Sequence, residues 1–328
     1  MRALRRSSRH GALSALLFAV FAGCTGDAAE RTTDAASASA LTTVALAAPP
    51  APPTAADFAG AESCQSCHAA EYATWKRSTH GTAGGVPGRS TNDVRVIAPF
   101  NGVPIRFRDA VVIPRQANGR FSFLVQREGE PDTTFTVDGV IGGGHMNGGG
   151  TQGFVTAWPD GTKRFLPFDW SRSNGVWFCH TGTRTEQGWQ PITASMRLAD
   201  CGDWPPSRVL GDDARFSNCQ SCHGSGITVA FDSAARRWRT DIRSLAVDCE
   251  SCHGPGSIHV KAGGAKGSIV NPGKSPEACL QCHVDKRGEF ALPHSHQVMS
   301  GKMSCSDCHD PHLGKATKGR GASLESEN

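Results

Sequence analysis

The chain has 328 residues, enough for one or two domains, with 34 Lys and Arg against 30 Asp and Glu. Apolar residues make up 38%, with 38 Gly, 19 Pro and a single Tyr; globular domains run nearer about 45–50% apolar, so side chains alone make a thin core. Four of the basic residues (Arg2, Arg5, Arg6, Arg9) lie in the first 23, and subtracting them from 34 leaves 30 basic against 30 acidic, so the charge gives no grounds for a nucleic-acid partner and none is expected.

Residues 1–23 read as an export signal: a basic start, then an apolar run over 11–22 too short for an ordinary spanning helix. Phe21-Ala22-Gly23-Cys24 resembles a bacterial lipobox, which makes Cys24 the candidate lipidation site and a membrane surface a candidate partner. Ordinary cleavage near Gly23 or beyond is the alternative. Residues 24–58 are rich in Ala, Thr, Ser and Pro and read as a linker, semi-extended where Pro49, Pro50, Pro52 and Pro53 cluster. Residues 59–91 form the first Cys-containing segment, with a helical look around Ala69–Lys76. Residues 92–170 carry short strand-like runs, with Asn118-Gly119 placed as a hairpin turn, and read as a β-rich insertion. A connecting segment spans 171–216, a closely spaced Cys block 217–312, and a polar tail 313–328. The expected fold class is mainly irregular, with short α-helices organised around stacked cofactors and a small antiparallel β insertion.

Five C-x-x-C-H motifs carry the chemistry: Cys64, Cys67 and His68; Cys219, Cys222 and His223; Cys249, Cys252 and His253; Cys279, Cys282 and His283; Cys305, Cys308 and His309. This is the attachment signature of haem c. Two thiols add across the vinyl groups on one porphyrin edge, and the following imidazole reaches the iron from the proximal side. Zinc and redox-active dithiols are the competing readings, but neither needs a His after every pair. With His at 13 of 328 positions, five coincidences have a chance of roughly 10⁻⁷. The expected cofactors are therefore five c-type haems with their iron. The last four motifs leave too little protein to insulate each cofactor, so neighbouring haems pack nearly in contact. The first motif either returns to the block through the fold or sits at one end of the haem chain.

The candidate distal ligands are His80, His145, His259, His294, His296 and His312. His145 lies in Gly-rich backbone that suits close approach to a porphyrin. His294 and His296 compete, and sterics favour His312 binding a haem other than its own motif's. Met146, Met299 and Met303 are rival ligands, with bis-His, low-potential haems preferred. Cys179 and Cys201 remain and form a disulfide candidate in an oxidising compartment. Val176–His180 is alternatively a C-x-x-C-H motif lacking its first Cys, open to a single thioether.

The segment GAESCQSCHAAEYATWKRSTH resembles the opening haem segment of the multihaem c-type cytochromes related to the tetrahaem cytochrome c of nitrifying bacteria. A Trp and a later His follow the first motif there, matching Trp75 and His80. VDCESCHGPGSIHV resembles a family segment in which the His after Gly-Pro-Gly is an axial ligand, which falls on His259. CLQCHVDKRGEFALPHSHQVMSGKMSCSDCHDPH looks like the terminal paired motifs of decahaem electron-conduit cytochromes, which implies ligand roles for His296 and His312. The expected function is that of a pentahaem c-type cytochrome, periplasmic or at the outer cell surface. It passes electrons between other redox proteins as a carrier, with no catalytic residues assigned. A multihaem reductase or oxidase of a small nitrogen or sulfur oxyanion, with one open haem, is the alternative.

Overall fold

A computed structural model describes residues 53–88, 96–143, 150–181, 188–211, 219–313 and 315–316, all within the compact unit Ala51–Asn328. The export signal, Cys24, most of the 24–58 linker, His145, Met146 and most of the tail lie outside these residues.

Two short helices, α1 (Ala61–Cys64) and α2 (Ala69–Trp75), open the described chain, and β1 (Gly84–Gly85) follows. A four-stranded antiparallel sheet is built in sequence order from β2 (Ile105–Arg106), β3 (Ala110–Ala117), β4 (Arg120–Arg127) and β5 (Thr133–Thr136). The β3–β4 hairpin turns at Asn118 and Gly119, both at positive φ, as an Asn-Gly pair allows. Next come β6 (Gly139–Gly142), β7 (Thr151–Ala157), β8 (Lys163–Phe165), β9 (Asp169–Ser171), β10 (Val176–Thr181) and β11 (Gly188–Pro191). With β1 they form a seven-stranded sheet in the order β1-β6-β7-β9-β10-β11, with β8 paired to β7.

The two sheets share one core. Along β4 the buried positions alternate as Phe121, Phe123 and Val125, the period-2 pattern of a strand with one buried face. They meet Val140, Phe154 and Cys179 of the second sheet and Phe168 just before β9. Phe100, Phe123, Phe154 and Trp177 pack edge-to-face with centroids 4.9–5.9 Å apart, a favoured aromatic arrangement. A disulfide joins Cys179 to Cys201 inside this core.

Beyond the sheets lie a hairpin of β12 (Thr228–Asp232) and β13 (Arg237–Asp241), then α3 (Cys249–His253), α4 (Ser257–Lys261), α5 (Glu277–Leu280) and α6 (Val284–Phe290), and finally a short pair, β14 (His309–Asp310) and β15 (Lys315–Ala316). A second apolar cluster, Ile141, Val155, Phe165, Leu210 and Leu245, fastens the seven-stranded sheet to the segment before α3.

The expectation of a mainly irregular body with short helices and a small β insertion is overturned. Strands dominate the described residues, and the strand region runs on to Pro191. The segment Val176–Thr181 has no alternation to betray it. Phe178 stacks on Trp189 while Trp177 packs into the core, so both faces are covered. Such continuous apolar runs cannot be told from other buried segments by periodicity.

The sheets also return the first motif segment to the rest. β1 pairs with β6, and a Cβ at Gly84 would meet the Leu245 carbonyl oxygen at 2.2 Å, so only glycine fits there. Ala59 N–H and Gly60 N–H both donate to the buried Glu250 carboxylate of α3, at 2.8 Å each, and Gly256 N–H donates at 2.7 Å. Trp75 Nε1–H donates to Val247 O at 2.8 Å. Glu250→Ala strands these three backbone donors, and an unmet buried donor costs about 1–3 kcal/mol. The expected outcome is a loss of about 3 kcal/mol in denaturant unfolding and new proteolytic cutting near residues 56–60, with Glu250→Gln losing less.

Candidate functional site

Each motif folds as one tight turn, which puts the residues of C-x-x-C-H on adjoining positions of one face. Cys64 ends α1 and His68 precedes α2; the His68 N–H donates to Cys64 O at 2.9 Å. The same bond recurs from His223 to Cys219 at 2.9 Å and from His283 to Cys279 at 3.0 Å. Cys219–Ser221 and Cys305–Asp307 are 3-10 turns, and the third motif is α3 itself. Asp248 caps α3, accepting from Ser251 N–H at 3.0 Å and from the Ser225 hydroxyl at 2.9 Å. Burial pushes its carboxyl up.

The motif thiols converge. Cys64 neighbours Cys249, and Cys222 neighbours Cys282. Cys279 meets Cys305, and Cys252 lies near both Cys279 and Cys282. Motif one therefore neighbours motif three, and motif four neighbours two, three and five. The neighbouring Cys282 thiol draws the Cys222 thiol down to about 6, while burial and then Cys305 push Cys279 up to about 12.

Two imidazole pairs stand opposite one another. The rings of His80 and His283 are 6.3 Å apart between centroids, and those of His253 and His312 are 6.5 Å apart and nearly parallel. Two metal–imidazole bonds of about 2 Å, plus about 1 Å from each nitrogen to its ring centre, span close to this separation. Burial, then His283, lowers His80. His253 Nδ1 lies 3.0 Å from Val270 O. Backbone bonds of this kind fix the ring and its tautomer, leaving the far nitrogen for a metal. On α4, His259 Nδ1 lies 3.0 Å from the Oγ of Ser268, in the loop that follows. His68, His294 and His296 are exposed, His309 is half-buried, and His294 sits at positive φ.

One further observation fits a haem-sized apolar group. Large apolar side chains stand exposed around the third, fourth and fifth motifs: Ile258 at 70%, Val270 at 58%, Val284 at 64% and Leu292 at 63%. Porphyrin faces would cover such a patch.

The disulfide occupies Cys179, so Val176–His180 offers no thiol for a thioether. Sequence reasoning missed a buried polar cluster beside the second motif, formed by Asp169, His180, Asp203 and Arg208. No spacing pattern marks it, since its members come from two strands and a loop. It also missed Glu250, which stands at an unspecified position inside a motif.

The family described as cytochrome c554 and c-prime matches residues 63–92, across the first motif. The motifs and the matches support one class, the multihaem c-type cytochromes, which transfer electrons through haem iron. Multiheme cytochrome MtrA of Shewanella baltica (strain OS185) is 29% identical over 104 residues, 32% of this chain and 27% of that protein. The chain thus matches about a quarter of that relative's length. Two solved structures show slight likeness. Outer cell wall cytochrome OcwA gives a TM-score of 0.38 at 19% identity, over 69% of this chain and 37% of that one. The undecaheme cytochrome from the S-layer of Carboxydothermus ferrireducens gives 0.35 at 16%, over 85% and 42%. Nothing further follows from TM-scores this low.

Asp248→Ala removes the cap of the third motif and the partner of the Ser225 hydroxyl. The expected loss is about 1–2 kcal/mol in chemical denaturation, with Asp248→Asn recovering most of it.

Proposed function

We propose that the chain is an exported pentahaem c-type cytochrome that relays electrons between redox partners through closely packed haems. The observation that carries the reading is the pairing of His80 with His283 and of His253 with His312 at an iron-spanning distance, beside turns that each present two thiols.

The haem group supplies a reversible one-electron couple at its iron. The chain supplies the rest. The ten motif cysteines hold the haems by thioether bonds, and His68, His223, His253, His283 and His309 serve as proximal ligands. His80 would supply the second imidazole to the fourth motif's haem, and His312 to the third's. His145, His259, His294 and His296 are the candidates for the remaining distal positions. His253, held by the Val270 carbonyl, keeps its ring orientation and tautomer. The contacts between motif turns set neighbouring haems side by side, with the fourth as the junction.

Residues 1–23 direct export, and Cys24 carries a lipid that tethers the body through the 24–58 linker at the periplasmic or outer cell surface. Five haem additions in the intact mass of the holoprotein test the count; fewer would overturn it. His80→Ala and His312→Ala should each keep five haems, yet each should turn one low-spin ferric haem high-spin by electron paramagnetic resonance. Unchanged spectra would overturn the ligand assignment.

A second reading, a reductase or oxidase of a small nitrogen or sulfur oxyanion, is favoured by one observation. Among the described residues the imidazole ring contacts pair His80 with His283 and His253 with His312, and leave His68, His223 and His309 without a second imidazole in ring contact. Cyanide or nitrite that shifts the spectrum of the wild-type holoprotein supports that reading; an unchanged spectrum supports the carrier.

A further inference from the structure

The buried polar cluster beside the second motif has no part in attaching haem. Asp169 on β9 is register-paired with Phe178 of β10. His180, two residues further along β10, projects to the same face. His180 Nε2 lies 3.6 Å from Asp169 Oδ2. A Cβ at Gly153 would stand 3.0 Å from Asp169 Oδ1, so glycine there leaves the carboxyl its room.

The loop from Cys201 to Arg208 completes the cluster. The Cys179–Cys201 disulfide and a 2.7 Å bond from Gly202 N–H to His180 O pin this loop to β10. Asp203 is thereby set beside Arg208, Oδ2 to Nη2 at 3.4 Å. Arg208 is 8% exposed, its guanidinium stands 4.2 Å from the Phe165 ring, and its Nε has no hydrogen-bond partner. A bond from Phe165 N–H to Arg208 O fixes its backbone.

Asp169 and Arg208 both act electrostatically on Cys219, the first thiol of the second motif. The cluster therefore lies on the thioether edge of that motif's haem. Propionates leave a porphyrin from the opposite edge, so Arg208 is not placed to hold one. Nor is this an anion site: two carboxylates share it with one guanidinium. What remains is a buried acid in contact with a half-exposed imidazole, next to a redox centre.

We propose that the Asp169–His180 pair is a proton-exchange site coupled to reduction of the haem carried by Cys219, Cys222 and His223. This rests on the reading that the second motif carries haem. When an electron reaches that haem from a neighbouring one, the Asp169 carboxylate takes up one proton. A solvent proton enters at His180 Nδ1 as Nε2–H passes to Asp169, so the neutral imidazole changes tautomer and carries no net charge afterwards. One added electron is balanced by one added proton, and both leave on re-oxidation. Arg208 and Asp203 hold the pair in place and set its charge balance.

The electrostatics agree. Burial, then Asp203, pushes Asp169 up to about 7 against the opposing pull of Arg208. Burial, then Arg208, lowers His180. A carboxyl with a raised value is protonated below it and ionised above it. Reduction removes one positive charge nearby and moves the value higher still, so proton uptake accompanies the electron in the pH range just above 7.

The test is a spectroelectrochemical titration of the full holoprotein from pH 5 to 9, with haem occupancy of the second motif checked by peptide mass. In the wild type one haem component should change its reduction equilibrium nearly tenfold per pH unit above 7, about 59 mV for one electron, and be flat below. In Asp169→Asn that component should lose its slope while the others keep theirs. Infrared difference spectra of the wild type alone should show a carboxylic C=O band gained on reduction, shifted in D2O. A slope that survives Asp169→Asn, or no pH-dependent component and no carboxyl band in fully loaded wild type, overturns the proposal. A second motif without haem overturns the parent reading as well, and the peptide mass identifies that case.

Discussion

Glu250 sits inside a motif, 3% exposed, and accepts three backbone N–H groups from two distant parts of the chain. A buried carboxylate is tolerable only with its lone pairs engaged, and here the donors come from Ala59, Gly60 and Gly256. That one side chain fixes the first motif segment against the third. The contact of Cys64 with Cys249, the bond from Trp75 to Val247 O and the close passage of Gly84 over Leu245 all depend on the same docking. Without it, the strand region would separate the first motif from the rest.

The chain uses two kinds of interior. The strand region has an ordinary side-chain core, dense in Phe and braced by a disulfide. The motif region has few fully buried apolar residues, chiefly Leu280 and Val298, and leaves Ile258, Val284 and Leu292 outside. Its turns are too short to hold themselves together as isolated helices. Under the five-haem reading, porphyrin faces and axial bonds supply what the side chains do not. The low apolar fraction of the whole chain then reflects this division of labour.

The motifs were legible because chemistry fixes their spacing: two thiols for two vinyl edges, then an imidazole. The Asn118–Gly119 hairpin was legible for the same kind of reason, since few residues accept its backbone angles. The extent of the strands was not. Phe178 and Cys179, neighbours on opposite faces of β10, are both buried, which erases alternation, and the Cys-His ending suggested a damaged motif. The pairing of His80 with His283 was illegible because the two lie far apart in sequence and meet only after the sheet has folded between them. Asp169 and Arg208 carry no motif, and their role comes wholly from burial beside Cys219.

The central claim is that haem forms the interior of the motif region, while the strand region is self-sufficient. Amide hydrogen exchange on the chain produced with and without haem attachment tests it directly. Residues 105–180 should stay protected in both forms, whereas 219–312 should be protected only when haem is bound. Equal protection of 219–312 in the haem-free chain would contradict the account.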